Sequence, residues 1–296
     1  MKIGCLGDLH LRATKPMQRI DDYYTTQFEK LEQAFEHFKF AEVDFILQPG
    51  DFFNSYGREP YYHLYDVFAF ISRYEIPIYI VLGQHDIKFH DLKSNDLPIR
   101  ILVTTEAVEL LSDWPIQKGK TFLYGASWGN KIPEKVQEEG IHVLVMHKMV
   151  INGEKLWHEQ TDYIQARMLQ KKYDFDLFVT GDNHQAFVND KVINCGSLGR
   201  MSIDQEDHKP MYAIWDNGEI KTYEYDIKPF DEVMNTEQHF VEKISQDKKK
   251  DYADSLSEEF DGQLSFRENI TEVMKQKRRI KPRTKQLVEE SLHGKG

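Results

Sequence analysis

Acidic, amide and imidazole side chains gather at five places in this chain, each closing an apolar run. They are Gly7-Asp8-Leu9-His10, Gly50-Asp51, Gly83-Gln84-His85-Asp86, Met146-His147 and Gly181-Asp182-Asn183-His184. Carboxylates and imidazoles are ordinary ligands of divalent ions. Two such ions ~3.5–4 Å apart clamp a phosphoryl group for in-line displacement. That site needs a bridging carboxylate flanked by imidazole and oxygen ligands. The chain offers Asp8, His10, Asp51, Gln84, His147, Asp182 and His184. A lone Asp-x-His or Gly-Asp says little, whereas this ordered series points to one metal site.

The runs that precede these segments (2–6, 43–48, 76–82, 141–145 and 176–180) are rich in β-branched and aromatic residues. Bounded by Gly and separated by helical spacing, they predict buried strands of an α/β domain. Active sites in such sheets lie just beyond the carboxyl ends of strands. Residues far apart in sequence therefore share one structural address. Helices are expected over about 19–40, where Phe28, Leu31, Phe35 and Phe38 recur at helical spacing, and over 60–74, 133–139 and 161–171. Pro60 suits a first helical turn. Short strands are expected at 99–103, 107–111 and 121–124. Farther on, 187–188, 192–195, 211–215 and 220–225 read as an antiparallel series, with Asp216-Asn217-Gly218 as a hairpin turn. Strands that first alternate with helices and then run together predict two sheets packed face to face, with helices outside.

After about Asp226 the apolar content thins, and 237–244, 252–259, 265–277 and 282–292 read as short helices. The predicted domains are thus 1–225 and a small helical appendage over 226–296. The appendage reads either as a partner-docking element or as a partly disordered tail.

A chain of 296 residues has room for one large domain plus such an appendage. The net charge of −11 argues against a broadly basic nucleic-acid surface. One basic cluster opposes that trend: Lys275, Lys277, Arg278, Arg279, Lys281, Arg283 and Lys285. It reads equally as a solvated face or as a contact for phosphates or an acidic partner. Cys5 and Cys195 imply no disulfide framework. No apolar run approaches the ~20 residues that span a bilayer. Met1-Lys2-Ile3 runs straight into the first strand, which predicts no cleaved signal and a cytoplasmic location.

Taken together, the five segments resemble the calcineurin-like metallophosphoesterase superfamily, with its order D-x-H, G-D, G-N-H-[DE], H and G-H-x-H. More narrowly, Gly7-Asp8-Leu9-His10 near residue 1, Gly50-Asp51-Phe52-Phe53 and Gly196-Ser197-Leu198-Gly199-Arg200 resemble the SbcD-like nucleases of double-strand-break repair. The resemblance spans roughly 1–225 and implies a four-layer α/β/β/α sandwich. It implies that Asp8, His10 and His184 bind a first metal, that Asp51 bridges, and that Gln84, His147 and Asp182 bind a second. It implies that His85 contacts the phosphate and helps protonate the leaving oxygen, with Asp86 orienting it or capping the next turn. It further implies two divalent ions, a DNA substrate and an SMC-like ABC ATPase partner of SbcC type that docks on the C-terminal helices. A homodimer and the absence of a membrane are expected with it.

Two departures fall on the second metal. Gln84 stands where the family has Asn, and Asp182 where it has the first His of G-H-x-H. Gln carries its amide ~1.5 Å farther out, beyond the ~0.5 Å tolerance of a well-built site. Asp182 adds a third carboxylate. An oxygen-rich site favours manganese, or magnesium, over zinc.

The expected function is therefore metal-dependent hydrolysis of DNA phosphodiesters, as exonuclease or endonuclease, in repair or recombination. The alternatives are a superfamily phosphoesterase acting on a nucleotide, phosphomonoester or phosphoprotein, and a weakly active scaffold with a degraded second site. Arg200 reads as a phosphate contact or a structural ion pair, and His90 as a substrate contact. Tyr23, Tyr24, Tyr56, Tyr61 and Tyr62 lie near the predicted site loops, where rings stack on bases or simply pack helices.

Overall fold

The computed structural model describes residues 1–57, 59–88 and 97–235. His90, the helices expected over 237–292 and the basic cluster at 275–285 lie outside them. Residues Met1–Asn235 form one compact unit.

Fourteen strands and five α-helices are described: β1 (Lys2–Cys5), α1 (Tyr23–Phe40), β2 (Phe45–Gln48), α2 (Tyr61–Tyr74), β3 (Ile78–Ile80), α3 (Pro98–Thr104), β4 (Glu109–Leu110), β5 (Ile116–Lys118), β6 (Thr121–Ala126), β7 (Ile141–His147), β8 (Val150–Ile151), β9 (Ile164–Gln165), α4 (Ala166–Lys172), β10 (Leu177–Gly181), β11 (Phe187–Asn189), β12 (Val192–Asn194), β13 (Met211–Asp216), β14 (Glu219–Glu224) and α5 (Phe230–Val233). They build two six-stranded sheets, in the orders β14-β13-β1-β2-β3-β4 and β11-β12-β10-β7-β6-β5, and a small β8-β9 ribbon.

The apolar runs are continuous because both faces of the central strands are covered. Ile3, Cys5, Phe45, Leu47, Tyr79, Val143, Val145, Leu177 and Val179 point between the sheets. The intervening Ile46, Ile78 and Ile80 face α1, α2 and α3, against Leu31, Phe35, Phe38, Val67, Ile71 and Leu102. Leu144, Met146 and Phe178 face the other way, onto Ala166 and Leu169 of α4. This is the expected four-layer α/β/β/α sandwich. β1, β2 and β3 run parallel in one sheet, and β6, β7, β10 and β12 in the other. The ends carrying the five segments are thereby brought to one edge.

Several local expectations are corrected. Residues 99–103 are not a strand but lie within α3. Pro98 occupies its first turn, and Pro98, Ile99 and Leu102 are buried while Ile101 is exposed, which is a helical period. No helix forms over 133–139. Side chains claim that backbone instead: Val136 N–H donates to the Tyr124 hydroxyl, and the Glu138 carbonyl pairs with His142 Nε2. Residues 164–165 pair with β8, so the helix expected from Thr161 begins at Ala166. α1 starts at Tyr23, where the Asp22 carboxylate accepts from Thr25 N–H; upstream, Arg19 forms a bridge with Met234. The expected antiparallel series is divided between the sheets: β11 and β12 extend one, and β13 and β14 the other. Its hairpin turn holds, with φ of 48° at Asn217 and 102° at Gly218. No helix among the described residues is long and apolar enough to cross a membrane.

Segment 226–235 packs back on this unit. Val233, Met234 and Phe230 cover Ile203, and Asn235 N–H donates to the Gln18 carbonyl.

Gly7 shows how tightly the fold presents the first ligand. A Cβ built there would lie 1.9 Å from the Gly196 carbonyl oxygen. That oxygen is fixed by the Asp8 N–H at 2.9 Å. Gly7→Ala is expected to cost about 3 kcal/mol or more, because backbone rather than a mobile side chain must move. Urea denaturation of the variant measures it.

Candidate metal centre

Three of the five strand-end segments bend sharply. His10, Asp51 and Asp182 have φ of 46°, 50° and 80°, the left-handed region that costs a non-glycine residue energy. The bends are held by the ligands themselves. Asp8 Oδ2 accepts from Asp182 N–H at 2.8 Å, and Asp51 Oδ1 accepts from His85 N–H at 2.8 Å. The other oxygens, Asp8 Oδ1 and Asp51 Oδ2, are buried with no hydrogen-bond partner. Each carboxylate thus uses one oxygen to tie two loops and keeps the other for something the protein does not supply.

Imidazoles surround those oxygens. Asp51 Oδ2 lies 3.4 Å from His147 Nε2, 3.7 Å from His10 Nε2 and 4.0 Å from His85 Nε2. His184 Nε2 is 3.0 Å from His10 Nε2 and 3.8 Å from Asp8 Oδ2. Asp8, His10 and His184 form one group with metal-binding geometry, and Asp8, Asp51 and His147 another. The donor set and its unpartnered buried oxygens fit divalent cations. The first group would hold one ion, and Asp51 with His147 a second, aided by Gln84 and Asp182.

Ring orientation is fixed from outside the cluster. His147 Nδ1–H donates to the Pro49 carbonyl at 2.8 Å, which turns Nε2 inward. His85 Nδ1–H donates to the Asn54 carbonyl at 2.7 Å, with the same result. Charge follows geometry. Burial would lower the His147 pKa, but Asp51 and then Asp8 outweigh it and raise it. Burial first, helped by His184, His85 and His147 and opposed by Asp51, pushes His10 down to about 3, so that ring is neutral at neutral pH. Burial also raises Asp8, which only a bound cation would fully reverse.

Gln84 Oε1 lies 2.7 Å from His147 Nε2, and its Nε2–H donates to Asp182 Oδ1 at 3.1 Å. The two residues that depart from the family pattern are therefore bonded to each other. Asp182 accepts the amide hydrogen and so aims the amide oxygen at the metal locus, which a neutral imidazole would not do in the same way.

Asp86 lies outside this group. Its buried carboxylate accepts from Gly83, Phe52 and Phe53 N–H at 3.0, 3.2 and 3.1 Å. It caps the turn and clamps the Asp51 loop to the His85 loop. Burial first, then the Asp51 charge, raises its pKa. Arg200 makes no bond to the cluster; it donates to the Lys228 carbonyl and lies over the Phe230 ring. Asn183 shapes the turn, bonding Val150 O and Gln185 N. Sequence reading missed Gln48, a buried amide that joins Gly7 O to the Gly50 backbone, and Asn194, which holds the carbonyls of Asn183 and Gln185. It also missed Trp157, which lines a groove of about 740 Å³ with Asp182 and His184.

An α/β/β/α sandwich with a buried carboxylate–imidazole cluster at its strand ends defines the class of metal-dependent phosphoester hydrolases. Within that class the chain belongs to the calcineurin-like phosphoesterase family, whose model matches residues 1–186. No curated protein matches it. Among solved structures it is similar to TT1561 of Thermus thermophilus, at 14% identity over 75% of this chain and 98% of that one, with a TM-score of 0.46. It is similar to the calcineurin-like phosphoesterase YfkN from Bacillus subtilis, at 12% identity over 76% and 90%, with a TM-score of 0.44. It is also similar to the Pseudomonas putida nuclease MPE, at 12% identity over 75% and 87%, with a TM-score of 0.28.

The Gln84–Asp182 bond generates a double-mutant test. Gln84→Asn and Asp182→His are each expected to weaken manganese binding about tenfold, as isothermal titration would show, because each leaves its partner misdirected. The double variant, which restores the family pair, should bind more tightly than either single one.

Proposed function

We propose that this protein is a metal-dependent nuclease that hydrolyses DNA phosphodiesters, with manganese as its preferred ion. The observation that carries the reading is the pairing of the metal cluster with exposed aromatic faces. Tyr61, Tyr62 and Tyr65 are 89%, 56% and 69% exposed at the start of α2, a few residues beyond Asn54, which holds His85. Trp157, 54% exposed, lines the groove that also carries Asp182 and His184. Such rings stack on unpaired bases without reading their sequence. Tyr23, by contrast, is buried, and Tyr24 donates to Asp66, so those two serve packing. Three carboxylates among the ligands favour manganese or magnesium over softer ions.

Bound ions would polarise the phosphoryl oxygens and acidify an attacking water. The chain's own part is positional. Asp51 supplies a fixed negative charge, and Asp8 would supply another once a cation offsets its burial. His85, held by Asn54, presents Nε2 at the mouth of the cluster, where it would hand a proton to the leaving oxygen. The groove carries Asp182, Asp204 and Asp207 against Lys209, so it holds no excess of positive charge. DNA would be gripped through the metals and by stacking rather than by a basic surface.

Linear duplex and single-stranded DNA, incubated with and without manganese beside an Asp51→Asn control, test the reading. Manganese-dependent cleavage is expected, with preference for single-stranded or frayed ends. Its KM should rise with salt at a log–log slope of about +2 or shallower, since few phosphates meet lysine or arginine. His85→Ala should lower kcat about 100-fold or more while leaving metal stoichiometry intact. Hydrolysis of an aryl phosphate or cyclic nucleotide with DNA left intact would replace this reading by a small-molecule phosphoesterase.

The proposal extends to an SMC-like ABC ATPase partner docking on the C-terminal region. Because 226–235 belongs to the compact unit, the informative truncation removes 236–296. It should abolish ATPase binding in a pull-down and spare cleavage of a simple phosphodiester. Retained binding would refute the docking role.

A further inference from the structure

A second concentration of charge lies behind the loop that follows the last metal-binding segment. Arg19, Lys30 and Arg200 are all buried and line one pocket of about 330 Å³. Arg19 is satisfied: its guanidinium makes two bonds to Asp21, at 2.7 and 2.6 Å, and one to the Arg200 carbonyl at 3.0 Å. Lys30 and Arg200 have no carboxylate in hydrogen-bond contact among the described residues. Lys30 Nζ donates to the Leu198 carbonyl at 2.9 Å, and Arg200 to the Lys228 carbonyl. Glu29 and Asp226 are also in the lining but are exposed. Arg19, Lys30 and Arg200 thus share the charge of one carboxylate, Asp21, with Glu206 adding a weaker pull on Arg200, while the hydrogen bonds of Lys30 and Arg200 go to carbonyl oxygens.

That arrangement is costly unless a charge of opposite sign joins it. A buried ion pays a desolvation penalty of several kcal/mol, which neutral carbonyls repay only in part. Were the residues mere staples for the 198–200 loop, an uncharged donor would serve as well. The ammonium of Lys30 and the planar fork of Arg200 together match a tetrahedral oxyanion: a point charge plus a bidentate donor. Thr26 and Gln33, also in the lining, add neutral polar groups. Burial, then the Arg19 and Arg200 charges, bring Lys30 down to about 7, a shift that a bound anion would reverse. The pocket is joined to the metal centre by a short relay, because Leu198, whose carbonyl holds Lys30, donates its own N–H to the Asp8 carbonyl at 2.9 Å.

We propose that Lys30 and Arg200 form a binding site for a phosphate-type oxyanion, separate from the metal cluster. The ligand is a compact group bearing one or two negative charges, such as inorganic phosphate or the terminal phosphate of a mononucleotide. Bound there, it would neutralise the pair and stiffen the 197–200 loop against the Asp8 segment.

Isothermal titration of inorganic phosphate, and separately of a nucleoside 5′-monophosphate, into the metal-free full chain at constant ionic strength tests this. Removing the metals makes the outcome independent of phosphoester hydrolysis. One saturable phosphate site per chain is expected, with a higher melting temperature. A mononucleotide that binds in place of phosphate at the same site identifies the terminal phosphate as the recognised group. A mononucleotide that fails to compete identifies the free ion. Lys30→Met and Arg200→Met should each weaken binding about tenfold or more, and Lys30→Arg should retain it. Absence of saturable binding to the wild-type chain would overturn the site, as would unchanged affinity in both methionine variants. If a methionine variant fails to fold, a phosphate-soaked wild-type crystal decides. Density between Lys30 and Arg200 supports the site, and density only elsewhere refutes it.

Discussion

The fold turns on one buried carboxylate. Asp51 is inaccessible to solvent, gives one oxygen to a backbone N–H on the next strand's loop, and leaves the other facing three imidazoles. Burial would raise its pKa, but His147, followed by His10 and His85, outweighs burial and keeps it ionised. An ionised group at that depth is tolerable only if opposite charge is held close; His147 supplies it, and His10 and His85 bring further ring nitrogens from two other strand ends. The convergence of those ends is therefore what the charge requires. Left-handed backbone at His10, Asp51 and Asp182 costs on the order of 1–3 kcal/mol each. The two-sheet core offsets it: Ile3, Cys5, Leu47, Val143, Val145, Leu177 and Val179 are all fully buried directly beneath.

The same core holds the cluster rigid. A ligand ring is useful only if it presents one nitrogen. Pro49 and Asn54 achieve this with main-chain carbonyls, which cannot rotate away as a side chain can. Asp86 works one step farther back, by pinning the backbone just after Asp51 to Gly83. A Cβ at Gly83 would fall 2.0 Å from Asp51 Oδ1, so the loop approaches as closely as atoms allow. Orientation is thus inherited from backbone, and only the final contacts belong to side chains.

This division decides what the sequence disclosed. The layered sandwich was legible because strands covered on both faces must be apolar throughout, and the carboxylate–imidazole cluster because Asp and His recur at each strand's end. What escaped was carried by groups without a sequence signature. A carbonyl is present at every residue, so nothing marks Pro49 or Asn54. Asp86 occupies a motif position but spends its oxygens on N–H groups, and composition does not distinguish the two uses. Residues 99–103 have the β-branched content of a strand, yet Pro98 and the burial of 98, 99 and 102 make a helix. Periods of two and of 3.6 residues are hard to separate in five positions. Partition of the last four strands between sheets depends on which edge is free, a property of the assembled fold.

Gln84 and Asp182 show why single departures from a family pattern mislead when read one at a time. Taken alone, the longer Gln side chain overshoots a metal, and an added carboxylate burdens a site already rich in them. Taken together, the carboxylate accepts the hydrogen of the amide, and the amide's extra length lets its oxygen reach His147 Nε2. Asp182 remains only partly buried, at 19% side-chain exposure, so solvent moderates the charge it adds. The pair preserves the number of oxygen and nitrogen donors around the second locus while shifting their balance toward oxygen. Two departures bonded to each other form one coordinated change, so the length of the amide and the charge of the carboxylate have to be read together.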